Sequence, residues 1–313
     1  MSYPIVAILG PTGSGKSDLA LALAERFRGE IVNCDSLQVY RGLDIGTAKT
    51  PPEERRGVPH HLFDIVDPQE TFSAAAYADL ARPLLTEICG RARLPFIVGG
   101  TGFYFRTLFE GLSPGPQRDE RLRQELERRE VRRNGLLHRY LRRFDPPSAS
   151  RIHPNDKQKI VRCVEICRLQ RRPASVVLGH PRVPLQGFRV LKLGLAPRRE
   201  ILYSHIEQRA ARMFQNGIVQ EVADLLRAGV PLDAKAFESL GYKEAIAVLQ
   251  GKLALNEAVE RTARETRQYA KRQMTWFRKE QGMVWLSGFG NENSVLEHAI
   301  SLVTEHSKKQ STN

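Results

Sequence analysis

Eight residues near the start of the chain constrain its fold more than any other feature. Gly10, Pro11, Thr12, Gly13, Ser14, Gly15, Lys16 and Ser17 satisfy the pattern G-x-x-x-x-G-K-[ST]. Residues 4–9 (PIVAIL) are a short apolar, β-branched run, and residues 18–27 (DLALALAERF) are apolar with helical period, so the motif joins a strand to a helix. In such a loop successive backbone N–H groups turn inward around phosphate oxygens and the following helix presents its positive end. Lys16 adds a full charge, and the Ser17 hydroxyl can ligate Mg²⁺. Gly13 and Gly15 allow the close backbone approach. A glycine-rich turn with a chance lysine is the alternative, and the strand-to-helix setting argues against it.

The motif specifies phosphate without specifying the compound. An enzyme that hydrolyses a nucleotide also carries an apolar strand ending in an aspartate that grips Mg²⁺. Here the strand at residues 95–98 (PFIV) runs into Gly99, Gly100, Thr101 and Gly102, and the acid sits elsewhere, at Asp35 after residues 30–34 (EIVNC). Ordinary ATPase or GTPase chemistry is thereby disfavoured. A small-molecule kinase or another transferase with a phosphate leaving group stays open.

Short apolar strands alternating with helical stretches predict an α/β fold, a doubly wound and mostly parallel sheet with its ligands at the carboxyl ends of the strands. The periodicity changes near Leu112, where LSPGPQ breaks the chain and charged helical segments begin. The expected organisation is a first part of the P-loop core over 1–112 and a helical insertion over 113–187. The rest of the core, with C-terminal helices, follows over 188–290, and a polar, partly ordered tail over 291–313. No apolar run is long enough to span a membrane and the N-terminus runs straight into a strand pattern, so a cytoplasmic protein without a membrane partner is expected. The four cysteines, at 34, 89, 163 and 167, suit buried free thiols better than a zinc site. His60 and His61 are adjacent in an expected loop, where neighbouring side chains diverge.

Charge is unevenly placed. The chain has 48 Lys/Arg against 35 Asp/Glu, a formal +13. Residues 118–172 hold 17 Lys/Arg against 8 Asp/Glu, and residues 261–279 hold seven against one, so the remainder is close to neutral. Two such concentrations point to a polyanionic partner, although a solvated basic surface is the simpler reading of either alone. In the second, Arg264, Arg267, Lys271 and Arg278 fall on one stripe at 100° per residue, a plausible phosphate track. Tyr269 and Trp276 lie on another flank as expected core, with stacking on RNA the alternative.

Further along, Asp35-Ser-Leu-Gln-Val-Tyr-Arg41, Asp44-Ile-Gly-Thr-Ala-Lys49 and Val58-Pro-His-His-Leu62 precede Val98-Gly-Gly-Thr-Gly102, then Arg151-Ile-His-Pro-Asn-Asp156, Gly241-Tyr-Lys-Glu244 and Thr266-Arg-Gln-Tyr-Ala-Lys-Arg-Gln-Met-Thr-Trp-Phe277. With the P-loop, this series resembles the tRNA dimethylallyltransferases, also called isopentenyltransferases, in the family's order and from residue 10 to about residue 286. The resemblance implies that the P-loop holds the diphosphate of dimethylallyl diphosphate and that the allyl group passes to the exocyclic N6 amine of the adenosine 3′ of the anticodon, with Mg²⁺ as cofactor and the tRNA anticodon stem-loop as partner. A monomer is expected.

Under that reading Asp35 is the candidate general base, because an adenine amine must shed a proton as it attacks. Lys16, the cradle amides, Mg²⁺ at Ser17 and the Thr101 hydroxyl would stabilise the leaving diphosphate. Blander roles exist: Asp35 as a helix cap, Thr101 as a turn residue, Gln38 as a surface glutamine. By resemblance, tRNA contacts fall on Asp35, Ser36, Leu37, Gln38, Thr101, Arg123, Lys159, Ile160, Val161, Arg162, Cys163, Gly241, Tyr242 and Lys243, joined by Arg264, Arg267 and Lys271 of the basic stripe. Lys159 stands where the family usually has Arg and Cys163-Val164 where it usually has Ala-Leu, which bears on the strength of tRNA binding. The rivals are an adenylate isopentenyltransferase, a small-molecule kinase, and an RNA-binding protein with a vestigial P-loop.

Overall fold

The computed structural model describes residues 2–113 and 115–308. Its chain divides into two compact units, residues 1–109 with 185–313, and residues 110–184.

In the first unit β1 (Tyr3–Leu9) is buried from Ile5 onward. It is followed by α1 (Lys16–Phe27), β2 (Gly29–Asn33), β3 (His60–His61), α2 (Ala74–Gly90), β4 (Leu94–Gly99) and α3 (Gly102–Glu110). In the second unit come α4 (Glu120–Arg132), α5 (Leu136–Phe144), α6 (Pro146–Arg151), α7 (Lys157–Gln170) and α8 (Ala174–Val177). The first unit resumes with β5 (Phe188–Leu195), α9 (Arg199–Gln215), α10 (Ile218–Arg227), α11 (Tyr242–Leu249), α12 (Leu255–Phe277), β6 (Met283–Leu286) and α13 (Asn293–Lys308).

All the strands run parallel in one sheet of order β3-β2-β4-β1-β5-β6. A parallel sheet needs both faces covered, and the alternation of β1 shows how. Val6 and Ile8 join one core with Leu19 and Leu23 of α1, while Ile5, Ala7 and Leu9 join another with Leu85 of α2 and Leu108 of α3. A third apolar cluster, from Val39, Tyr40 and Leu43 to Phe237 and Tyr242, lies under the loop after β2. β1 sits between β4 and β5, with Leu9 opposite both Gly99 and Gly194. The carboxyl ends of β1, β2 and β4 therefore share one sheet edge, where the P-loop, Asp35 and Thr101 emerge.

His60 and His61, expected in a loop, form the short β3, and their rings do diverge. His60 Nδ1 meets the Val58 carbonyl at 2.8 Å and His61 Nε2 meets Glu30 at 2.6 Å. β6 had no counterpart in the sequence reading.

The expectation of a polar tail over 291–313 is corrected for its described part. α13 is a helix whose Val295, Ala299 and Val303 are buried in the core beside α1. Its apolar residues recur at four-residue spacing, and the polar residues between them face outward. Residues 309–313 of that expected tail lie outside the described residues. Among those described, no helix is long and apolar enough to cross a membrane.

The second unit has its own core, in which Leu126, Leu141, Ile160, Val164 and Cys167 meet. Asp145 caps α6 and also accepts hydrogen bonds from Ser175 N–H at 2.9 Å and its hydroxyl at 2.5 Å.

Because Val303 is fully buried, Val303→Asp is expected to destabilise the protein by roughly 3–5 kcal/mol through an unpaired buried charge. Urea unfolding would read this, and a change within experimental error would mean that α13 is a dispensable tail after all.

Candidate active site

The P-loop leaves β1 at Gly10 and enters α1 at Lys16. Gly15 has φ +80°, and a Cβ there would come within 2.8 Å of the Gly290 nitrogen, so glycine is required both by conformation and by contact. That contact matters because Gly290 N–H donates to Ser14 O at 2.9 Å, bracing the loop with the segment after β6. Ser14, buried, donates its hydroxyl to Pro11 O at 2.8 Å, and Lys16 Nζ donates to the same carbonyl at 2.8 Å. Ser17, in the first turn of α1, exposes a hydroxyl with no hydrogen bond to any described residue.

Two further side chains reach the cradle from far along the chain, and neither stood out in the sequence. Gln273 of α12, buried, accepts the Thr12 N–H at 2.8 Å through Oε1 and donates from Nε2 to Gly100 O at 2.9 Å. Arg209 of α9 donates to Thr12 Oγ1 at 3.2 Å and to Thr47 O at 3.2 Å. No local motif marks either one; the clue was the long helix-period block around Gln273 quoted above.

Asp35 follows β2 in a turn held from several sides. Its Oδ1 accepts the Leu37 N–H at 2.9 Å and its own N–H donates to Asn33 Oδ1 at 2.9 Å. Its second carboxylate oxygen accepts no hydrogen bond from any described residue. Thr101 Oγ1 accepts the Ser36 N–H at 3.1 Å and lies 3.3 Å from the Ser36 hydroxyl. The Tyr269 hydroxyl approaches both Thr101 and Gln273, and burial followed by the Asp35 charge pushes its pKa up. Tyr269 is thus a site residue, not plain core.

The electrostatics tie these groups together. Burial pushes Lys16 down to about 8, opposed by the Asp35 carboxylate and reinforced by the Arg209 guanidinium. Burial also holds Arg209 below its usual value, again opposed by Asp35. One carboxylate therefore faces two desolvated cations at the phosphate cradle. The structure brings Lys16, Asp35 and Thr101 into one site, as the sequence suggested, and adds Arg209, Tyr269 and Gln273.

The loop after Asp35 is fixed from beneath. Lys49, buried, donates to Tyr40 O at 2.9 Å and to Asp44 and Asp64 at 2.6 Å each. Gln38 Nε2 donates to Thr47 O at 3.2 Å and to Ala48 O at 3.4 Å, leaving its side-chain Oε1 without a described donor. Glu221 accepts from the Asp44 and Ile45 amides and from the Tyr242 hydroxyl at 2.5 Å. Tyr242, an expected tRNA contact, has a completely buried side chain that pins Glu221 and through it the loop. Gly241 caps α11 with φ +91°, its N–H donating to Glu244 at 2.9 Å. Lys243 pairs with Glu265. On α12, Arg264, Lys271 and Arg278 are exposed, while Arg267 pairs with Glu207 of α9.

Within the second unit the expected RNA contacts divide. Ile160, Val161 and Cys163 are buried in its core, so their side chains support α7 and do not reach a ligand. Arg123 and Arg162 both pair with Glu165, at 3.5 and 2.8 Å, and Glu165 is completely buried. Lys159 projects outward, paired with Asp156 at 2.6 Å.

A family model described as IPP transferase matches residues 38–280, and one described as isopentenyl transferase matches residues 3–64. The chain is 54% identical over 302 residues to the tRNA dimethylallyltransferase of Solibacter usitatus, covering 96% of this chain and 98% of that one. It is 50% identical over 309 residues to that of Koribacter versatilis, covering 97% and 99%. The chain belongs to the tRNA dimethylallyltransferase family. Among solved structures it resembles the tRNA isopentenylpyrophosphate transferase of Bacillus halodurans, with TM-score 0.72, 38% identity and coverage of 99% and 98%. It also resembles a eukaryotic dimethylallyltransferase acting on tRNA, with TM-score 0.83, 28% identity and coverage of 98% and 80%.

If the Lys16 ammonium is what the anionic donor meets, kcat/KM for that donor is expected to fall as pH rises through about 8. The fall would approach tenfold per unit, because this ratio reports ionisation in the free enzyme. Lys16→Arg, slower overall, should hold a flat profile across the same range. A wild-type profile that stays flat to pH 9.5 would show that the charge of Lys16 is not required.

Proposed function

We propose that this protein transfers a dimethylallyl group from dimethylallyl diphosphate to the N6 amine of the adenosine 3′-adjacent to the anticodon in tRNA, releasing diphosphate. The observation that carries the reading is Asp35. One of its oxygens is anchored to the Leu37 amide and the other is unengaged, while its charge acts on both Lys16 and Arg209 at the cradle. A base for the incoming amine and cations for the departing diphosphate thus share one site.

The geometry supports the following roles. The amides of Gly13 to Ser17, the positive end of α1, Lys16 and Arg209 hold the diphosphate, and the charge that builds as the allylic C–O bond breaks falls among groups already oriented. The forming N6–C bond makes the amine acidic, and Asp35 accepts its proton. Thr101 acts through Ser36, holding the turn that aims Asp35. Gln38, with its amide nitrogen occupied, keeps a carbonyl oxygen for an adenine edge.

Among the described residues no three His, Cys, Asp or Glu side chains gather to cage a metal. A free serine hydroxyl at the start of α1 suits Mg²⁺, which keeps most of its ligands as water and substrate phosphate oxygens. Ser17 would hold it, and when bound it would neutralise charge on the diphosphate.

Burying the target base in this pocket requires unstacking it, and a basic surface compensates by gripping the RNA backbone. Exposed Arg264, Lys271 and Arg278 on α12, and Lys159 in the second unit, are the assigned phosphate contacts. Arg267 joins them by exchanging the exposed Glu207 carboxylate for a phosphate, while Lys243 stays tied to Glu265 and to the buried Glu244.

Incubation with Mg²⁺, labelled dimethylallyl diphosphate and either unmodified tRNA or AMP tests the reading, which expects label in tRNA alone. Label in AMP alone, or none in either with folded protein, overturns it. Asp35→Asn keeps an acceptor for Leu37 N–H and removes the base together with the charge that faces Lys16 and Arg209. It is expected to slow single-turnover transfer by about 10²-fold or more with tRNA affinity little changed. Transfer at the wild-type rate would remove Asp35 from the mechanism.

A further inference from the structure

α12 has two faces with different surroundings. Tyr269, Gln273 and Phe277, four residues apart, turn into the protein, and Phe277 reaches the core against α2 and α3. Exposed Arg264, Lys271 and Arg278 lie on the far side of the same helix, more than 120° from Gln273 at 100° per residue. Gln273 is only 6% exposed. Its amide orientation is determined by its partners: Oε1 meets the N–H of Thr12 and Nε2 meets the carbonyl of Gly100, and the flipped amide would oppose like groups at both. A Cβ on Gly100 would stand 2.3 Å from Nε2, so the absence of a side chain there is what lets the amide in.

The two groups it joins belong to different halves of the chemistry. Thr12 is in the phosphate cradle, and its hydroxyl also takes a hydrogen bond from Arg209. Gly100 immediately precedes Thr101, whose hydroxyl holds the Ser36 amide beside Asp35. A single buried side chain on the basic helix therefore spans the loop that would grip the donor and the loop that would meet the acceptor.

We propose that Gln273 is a positioning residue that couples the two substrates: RNA docked on the basic face of α12 restrains the helix, the Gln273 amide then holds Thr12 and Gly100 in register, and diphosphate binds more tightly. Linkage requires the same factor in reverse, with diphosphate tightening RNA binding. The inference rests on the reading of α12 as an RNA face and of the P-loop as a diphosphate cradle.

The test measures binding, not turnover. Calorimetry gives the affinity of the full chain for inorganic diphosphate with Mg²⁺, alone and in the presence of a saturating anticodon stem-loop RNA. The wild type is expected to bind diphosphate about five- to tenfold more tightly with RNA present. In Gln273→Met diphosphate alone should bind more weakly, because Thr12 loses its brace, RNA alone should bind within a few-fold of wild type, and the ratio should fall to about one. Gln273→Glu supplies a second readout that a purely structural role would not move. Ionised, it cannot donate to Gly100 O and the ratio should be about one. As the pH is lowered and the carboxyl takes up a proton, its O–H can donate to Gly100 O while the other oxygen accepts Thr12 N–H, and the ratio should recover. If Gln273→Met fails to fold, the Gln273→Glu pH series decides.

A wild type that binds both ligands with a ratio of one overturns the coupling alone, as does Gln273→Met with the full wild-type ratio or Gln273→Glu with a ratio independent of pH. A wild type that binds no RNA overturns the functional reading and the coupling with it.

Discussion

Thr12 is the point on which the site depends. Its N–H is held by Gln273, 261 residues away in the chain, and its hydroxyl by Arg209, 197 residues away. A glycine-rich loop has little stiffness of its own, since each glycine adds accessible backbone conformations, so a cradle that must keep its amides aimed at phosphate needs support from outside. Gly290 provides a third brace through Ser14 O. The consequence is that the C-terminal third of the chain braces the P-loop even though the motif lies wholly between the first strand and the first helix.

This distribution of support explains what could be read from the sequence. The P-loop was legible because strand, turn and helix are contiguous and each residue type has a separate physical reason to be there. Asp35 was legible because β2 is short and apolar and its carboxyl end is where α/β sheets place ligands. Arg209 and Gln273 were not, because a side chain that becomes functional by reaching across the fold leaves no local pattern. The misplaced features have equally specific causes. α13 looked like a tail because its polar residues outnumber its apolar ones, although Val295, Ala299 and Val303 carry the helical period. β3 is two histidines that are strand only through pairing with Ile31 and Val32. On α7, Ile160, Val161 and Cys163 share with Val164, Ile166 and Cys167 the buried face of an amphipathic helix, so an RNA contact of that stretch would run through its main chain or its cations.

Net charge, read from composition, overstates what an RNA would meet. The cations in this chain fall into two kinds according to the carboxylate each one faces. Arg267 pairs with Glu207, which is 56% exposed, so replacing that carboxylate by a phosphate leaves Glu207 hydrated and costs little. Arg123 and Arg162 share Glu165, which is completely buried, and drawing either guanidinium away would strand a desolvated carboxylate. The Arg123 Nε is itself buried without a partner, so that side chain is placed to shape the second unit more than to reach outward. On the proposed reading, phosphate contacts in that unit would fall to cations such as Lys159, whose partner Asp156 is a helix cap already satisfied by the Lys159 amide at 3.2 Å. Lys159 can therefore turn to a phosphate without leaving a buried charge unpaired, which an arginine held against Glu165 could not do.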